Sequence, residues 1–237
     1  MLKVLTPIIA ALMLSGCIVH VGGGPGNANQ HHEKILELDI TNINVLNAET
    51  GAGSLKIIGE QGISKITVDA NVYTIDESDF TLTLVRSGSK AKLVADASSR
   101  SGNSWHIGGN SPRIDLIVKM PADLALQLDD GSGSIDIKGL TNNIEIEDGS
   151  GSLKIDGGNN IQIIDGSGSL TIKNATGNVD IEDRAGSVTV NNTQGKVTID
   201  DSAGGINVDG AGHLEIINSG SGGVSIDGVG GTVIVDE

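Results

Sequence analysis

The sequence predicts an all-β protein: a single-stranded right-handed β-helix, or solenoid, built of two-strand coils of about 18 residues. Two observations carry this. The first is a phrase that returns along residues 129–236: Gly131-Ser-Gly-Ser-Ile135-Asp-Ile137, Gly149-Ser-Gly-Ser-Leu153-Lys-Ile155 and Gly166-Ser-Gly-Ser-Leu170-Thr-Ile172. It decays through Ala185-Gly-Ser-Val188-Thr-Val190 and Ala203-Gly-Gly-Ile206-Asn-Val208 to Ser221-Gly-Gly-Val224-Ser-Ile226. The second is an aliphatic pair halfway through each unit: Ile144/Ile146, Ile161/Ile163, Val179/Ile181, Val197/Ile199, Leu214/Ile216 and Val233/Val235.

Apolar–polar–apolar triplets are the alternation of a strand with one face buried. The outer positions hold only Ile, Leu and Val and are assigned to the core. The middle positions are chemically mixed, as in Asp136, Lys154 and Thr171, and are assigned to water. Gly, Ser, Asn and Asp fill the turns, where they tolerate positive φ or bond their own backbone. Burying the four aliphatic side chains of one unit contributes about 6–12 kcal/mol. Ordering its backbone costs roughly 1–2 kcal/mol per residue, so a unit is stable only when stacked on its neighbours. The twist preference of parallel crossovers sets the expected right-handed winding. No six-residue register occurs, which removes support for the left-handed β-helices of acyltransferases.

In chain order, residues 1–16 read as a signal peptide: Lys3, then a short apolar run from Val4 to Leu14. The run ends in Leu14-Ser15-Gly16-Cys17, which resembles the lipobox of bacterial lipoproteins. That resemblance implies cleavage before Cys17, a diacylglyceryl thioether on its sulfur and an acylated amino terminus. Several acyl chains anchor a protein stably where one would not. Ile18 after the cysteine, in place of Asp, resembles outer-membrane sorting. Cys17 is the only cysteine, so no disulfide within the chain is possible. Residues 17–33 are the acylated cysteine and a Gly-rich tether, with Gly22-Gly-Gly-Pro-Gly26 in its middle and His31 and His32 near its end.

Residues 34–128 form the irregular first part of the solenoid. Strands are expected at Ile35–Ile40, Ile43–Leu46, Ile66–Tyr73, Phe80–Val85, Lys90–Ala95 and Ile114–Met120, and Gly51-Ala-Gly-Ser-Leu55-Lys-Ile57 nearly copies Gly149–Ile155. A loop at 98–113 interrupts them. Residues 129–237 are the regular repeats. The length suits one or two domains.

Pro121-Ala-Asp-Leu-Ala-Leu126 ahead of the first Gly-Ser-Gly-Ser turn, with the repeated Gly-x-aliphatic-x-aliphatic units, resembles the putative-adhesin family of bacterial β-strand-repeat envelope proteins. The resemblance spans about residues 39–236. The family is one of unknown function, and the resemblance implies a single-stranded right-handed β-helix and no catalytic residues.

The formal charge of −15 excludes nucleic acid as a partner, since no basic patch is present to displace phosphate counterions. Serines are abundant, yet none sits in a Gly-x-Ser-x-Gly elbow before a helix. His213 shares a turn file with Asn143, Asn160, Asn178 and Lys196, which fits a solvated position. Asp130, Asp148, Asp165, Asp183 and Asp201 form a file just before the turn, where each can accept turn N–H groups. The alternative for that file is a Ca²⁺ ladder, as in the nonapeptide repeats of secreted toxins, although the Gly-Gly-x-Gly-x-Asp order is not reproduced.

One candidate partner-binding site stands out. The 98–113 loop concentrates Arg100, Trp105, His106 and Arg113 in a chain with four arginines and one tryptophan. Trp and Arg are enriched among binding hot spots. The same loop can instead fold back as a cap over aliphatic core near Tyr73 and Phe80.

The expected function is that of a non-catalytic scaffold or adhesin-like binding module, lipid-anchored in the bacterial envelope and sorted to the outer membrane. Its partner would be an envelope protein or a glycan, and no cofactor is expected. The alternative is a carbohydrate-active enzyme of polysaccharide-lyase type. The scarcity of arginine and of aromatic sugar platforms counts against it.

Overall fold

The computed structural model describes Ala28 and residues 30–76, 79–97 and 111–236. All regular structure there is β. The first six strands are β1 (Gln30–Asp39), β2 (Val45–Glu60), β3 (Lys65–Thr74), β4 (Thr81–Ser87), β5 (Lys90–Asp96) and β6 (Arg113–Pro121). The repeat region supplies β7 (Ala125–Lys138), β8 (Ile144–Asp148), β9 (Gly151–Asp156), β10 (Ile161–Asp165), β11 (Gly168–Lys173) and β12 (Val179–Asp183). It continues with β13 (Gly186–Asp201), β14 (Gly204–Asn218), β15 (Val224–Val229) and β16 (Val233–Val235).

Successive repeats lie side by side, parallel and in register. Ile161 pairs with Ile144 and with Val179, and Leu170 pairs with Leu153 and with Val188. The aliphatic positions assigned to the core point inward along the ring, where Ile144, Ile146, Ile155, Ile163 and Leu170 are each 2% exposed or less. In the last coil the assignment fails, because no further strand among the described residues covers Val224, Val233 and Val235, which are 38%, 44% and 41% exposed. The middle residues Glu145, Lys154 and Gln162 are exposed.

The architecture differs from the β-helix expected. Seven parallel strands bond in a ring, β7–β8–β10–β12–β13–β11–β9 and back to β7. The result is a closed seven-stranded parallel β-barrel with further strands outside it, which replaces the single-stranded right-handed solenoid. The physical cause lies in β7 and β13. β7 runs unbroken through its Gly-Ser-Gly-Ser corner, so its first half bonds β8 and its second half bonds β9. β13 runs unbroken through the opposite corner and bonds β11 and β12 in the same way. A triplet alternation has the same appearance in a strand that stops at a corner and in one that continues through it.

Outside the ring, β2 pairs with β7 so that Gly53 lies opposite Gly133, as the likeness of their sequences suggests. β3 joins this part antiparallel between β1 and β6, and β4 pairs antiparallel with β5. β1 begins at Gln30, within the stretch expected to be tether. Its His31 stacks on Tyr73 with centroids 4.6 Å apart and bonds Asn71 Oδ1 through Nε2 at 3.0 Å. His32 is buried near Phe80.

The Gly-Ser-Gly-Ser corner brings backbone onto backbone. Gly168 has φ +143°, and a Cβ placed there would stand 1.7 Å from the Gly151 carbonyl oxygen. Gly205, two coils later and one position on, in the file of Ser169 and Ser187, has no atom closer than 3.8 Å to such a Cβ. Gly168→Ala should therefore lower stability by at least about 2 kcal/mol, through overpacking of an unyielding backbone. Gly205→Ala should stay within about 0.5 kcal/mol. Urea denaturation of the two variants checks the contrast.

Candidate functional site

Residues just before the first strand of each repeat stack into a corner of amides. Asn143 Oδ1 accepts the Asn160 backbone N–H at 3.4 Å and the Asn159 and Asn160 side-chain amides at 3.2 and 3.3 Å. Asn160 Oδ1 accepts the Asn178 N–H at 3.0 Å, and Asn178 Oδ1 accepts the Lys196 N–H at 3.0 Å. His213 follows the same rule, with its Nδ1 accepting the Thr232 N–H at 3.0 Å. Asn143, Asn160, Asn178 and His213 thus each offer an acceptor to the next repeat's backbone, which explains a histidine among asparagines; Lys196 departs from this and donates to the Glu215 carboxylate.

Beside this corner runs the outward file of the same sheet: Gln127, Glu145, Gln162 and Asp180 in parallel register. Adjacent members are one strand spacing apart, about 4.8 Å. Lys90 Nζ donates to Gln127 Oε1 at 2.9 Å, and Gln127 Nε2 donates to Glu145 Oε2 at 2.9 Å. Corner and file together wall a groove of about 660 Å³ that reaches from Asn44 and Lys90 to Asn178 and Asp180. Its wall repeats amide and carboxylate groups at strand spacing, with aliphatic residues such as Val45, Ile144 and Ile161 between them. This groove was not legible as a site in the sequence, because Asn and Gln at these positions read as ordinary solvated turn and strand residues.

Of the loop residues singled out in the sequence, Arg100, Trp105 and His106 lie outside the described residues. Arg113 stands at the start of β6. Its guanidinium lies 4.0 Å from the centroid of the Tyr73 ring, and its Nε donates to Asp115 Oδ2 at 3.3 Å. Asp115 Oδ1 also accepts the Ser54 N–H at 2.9 Å. A second groove of about 660 Å³ opens beside them, lined by Arg113, Asp115 and the serines of three successive corners.

The aspartate file occupies the inward position at the end of the first strand of each repeat. Asp130, Asp148, Asp165, Asp183 and Asp201 are each 5% exposed or less. Four of them close Asx turns: Oδ1 accepts the N–H two residues on, at 3.2 Å from Ser150 and Ser167, 3.1 Å from Ala185 and 2.9 Å from Ala203. Asp130 accepts the Thr50 hydroxyl instead. Burial pushes the Asp130 carboxyl up to about 6, against the Thr50 bond. Burial also pushes Asp148, Asp165 and Asp183 up to about 6, with the neighbouring aspartates adding to the rise and turn amides opposing it. Asp201 is raised by burial as well. As for the calcium alternative, no group of three or more His, Cys, Asp or Glu among the described residues is placed to hold a metal ion.

No protein-family model and no curated protein matches the chain. Among solved structures, a putative cell adhesion protein from Clostridium sporogenes is similar over 84% of this chain and 99% of its own, at 13% identity and TM-score 0.41. A putative adhesin from Bacteroides fragilis is similar over 86% of this chain and 97% of its own, at 16% identity and TM-score 0.31. A putative lipid binding protein from Parabacteroides distasonis is similar over 90% of this chain and 98% of its own, at 13% identity and TM-score 0.37. Likeness at these values carries no argument for function.

The amide corner makes a direct prediction. Asn160→Ala deprives the Asn178 amide of its acceptor and should cost about 1 kcal/mol. Asn160→Asp keeps that acceptor but loses the Nδ2 donor to Asn143 Oδ1, so it should cost less than the alanine variant without restoring wild-type stability. Denaturant midpoints of both variants at neutral pH read the difference.

Proposed function

We propose that the protein is a lipid-anchored component of the bacterial cell envelope that binds a neutral glycan along its amide groove, without catalysis. The observation that carries this reading is the groove itself. Amide and carboxylate groups recur at strand spacing along a fixed wall, and sugar hydroxyls are the complementary donors and acceptors. A glycan, which carries hydroxyls on an apolar ring frame, matches a wall where amide and carboxylate side chains alternate with aliphatic ones such as Val45 and Ile161. Glu145, Asp180 and the formal charge of −15 disfavour an acidic polysaccharide.

Catalysis is not part of the reading. Glu145 and Asp180 stand two strands apart with Gln162 between them, and Glu145 is engaged by Gln127. The anchor rests on Leu14-Ser-Gly-Cys17 and the short apolar run before it. The body would then extend from an acylated Cys17, with outer-membrane placement suggested by Ile18.

Two measurements test the two parts separately. Cys17→Ser should move the protein from the membrane fraction to the soluble fraction; a variant that is still processed and still lipid-bound removes the anchor. Calorimetric titration with neutral and acidic oligosaccharides should show binding of neutral chains. The double variant Glu145→Ala, Gln162→Ala should weaken that binding about tenfold, a loss of about 1.4 kcal/mol. Equal binding by wild type and variant removes the groove.

A further inference from the structure

The aspartate column is an arrangement that a folded protein ordinarily avoids. Side chains of Asp130, Asp148, Asp165, Asp183 and Asp201 follow one another in parallel register through β7, β8, β10, β12 and β13. Neighbours are therefore about 4.8 Å apart, and like charges directly opposite each other on adjacent strands are destabilising. In every member the second carboxyl oxygen, Oδ2, is buried and meets no donor. A buried acceptor left without a donor costs free energy, and more so when it is charged.

Among the described residues no cation offsets this. The core beside the column is aliphatic, with Thr193 the one other buried polar residue of the barrel. The charged groups next to the column are mostly acidic: Asp129, Glu147, Glu182 and Asp200 precede its members on the outward side. Arg184 follows Asp183 in the turn and is exposed. Thr50, in the strand ahead of Asp130, closes one end with its hydroxyl. In the last repeat Asn218 makes the same bond to the N–H two residues on, at 3.1 Å from Gly220. A neutral side chain can therefore hold this turn.

A proton is the ligand that meets both needs. It removes one charge, and it places on one carboxyl an O–H that can donate to the next. We propose that the column is a proton-binding site, in which protons held between successive aspartates link them by carboxyl–carboxylate hydrogen bonds and strengthen the barrel on mild acidification.

The direction follows from linkage. The folded carboxyls of Asp130, Asp148, Asp165 and Asp183 hold protons up to about pH 6, whereas an unfolded aspartate releases them near its ordinary value of 3.8. Between these values the folded state binds more protons than the unfolded one, so stability falls as pH rises. The contribution is fully present below the ordinary value and is lost as pH rises through about 6. This is opposite to the usual behaviour of salt-bridged carboxylates.

The test is thermal unfolding of the full chain at about pH 7.5 and about pH 5, with and without calcium. Wild type should melt roughly 5 °C or more higher at the lower pH. Relaxation of the overall negative charge acts in the same direction, so variants carry the decision. Asp165→Asn, which supplies a neutral donor, should raise the melting temperature at the higher pH and flatten the pH dependence. Glu147→Gln removes the same charge from an outward position and should leave the dependence as it is. A wild type that loses stability on this acidification, or equal slopes in the two variants, overturns the proposal. A calcium-induced rise at the higher pH that Asp165→Asn abolishes also overturns it, in favour of a metal. If Asp165→Asn does not fold, the infrared carboxyl band of wild type decides. Titration of that band near 6 supports the column, and titration only near 4 contradicts it.

Discussion

Backbone contact at the glycine corner is the constraint on which the other features depend. At Gly133, Gly151 and Gly168 alike, a Cβ would stand 1.7 Å from the carbonyl oxygen of the preceding glycine in the file. No side chain fits such an approach, so the corner accepts one residue type and fixes which residue of one repeat meets which residue of the next. A slip by one position would turn every inward side chain outward. With the corner fixed, aliphatic residues stack on aliphatic residues and the core becomes continuous from β2 to β14.

Register that puts like on like has consequences that depend on the chemistry of the file. Stacked Ile, Leu and Val bury apolar surface. Stacked Asn residues satisfy one another, because an amide carries both donor and acceptor; the opposite corner repeats this, with Asn192 donating to Asn174 and Asn174 to Asp156, each at 2.7 Å. Stacked carboxylates have acceptors alone. The groove and the proton column are thus two outcomes of one geometric rule, and their positions follow from the side of the sheet each file faces. Amides and glutamates stand outward, where a ligand can reach them. Aspartates at the strand end stand inward, each with a buried Oδ2 that meets no donor, and a proton shared between two carboxyls would repair that mismatch without displacing the turn.

Much of this was visible in the residues. Triplets such as Ile161-Gln-Ile163 gave the inward and outward files, because alternation of two chemistries along a strand has one reading. Gly51-Ala-Gly-Ser-Leu55 advertised its pairing with the repeat by near identity. The position of Asp148 and its counterparts ahead of a turn indicated Asx geometry. Closure of the barrel was not visible, because continuity of β7 through Gly131–Ser134 depends on tertiary hydrogen bonds and not on composition. β1 was partly hidden for a similar reason: Gln30, His31 and His32 have no strand pattern of their own, and the stacking of His31 on Tyr73 comes from a residue 42 positions away. The groove was hidden because its residues are individually unremarkable and acquire meaning only when stacked.

The central claim is that one strand, β7, bonds both β8 and β9 and so closes the ring. Scalar couplings measured by NMR across hydrogen bonds test it most directly, since they report which N–H is bonded to which carbonyl. The structure requires two such couplings from one strand: the Leu126 amide to the Asn143 carbonyl, at a nitrogen–oxygen distance of 3.1 Å, and the Gly133 amide to the Ser150 carbonyl, at 2.9 Å. Observation of both in the same sample is the predicted result. Presence of one with a solvent-exchanging amide at the other would show that β7 bonds only one of these two neighbours, and the closed barrel would be wrong.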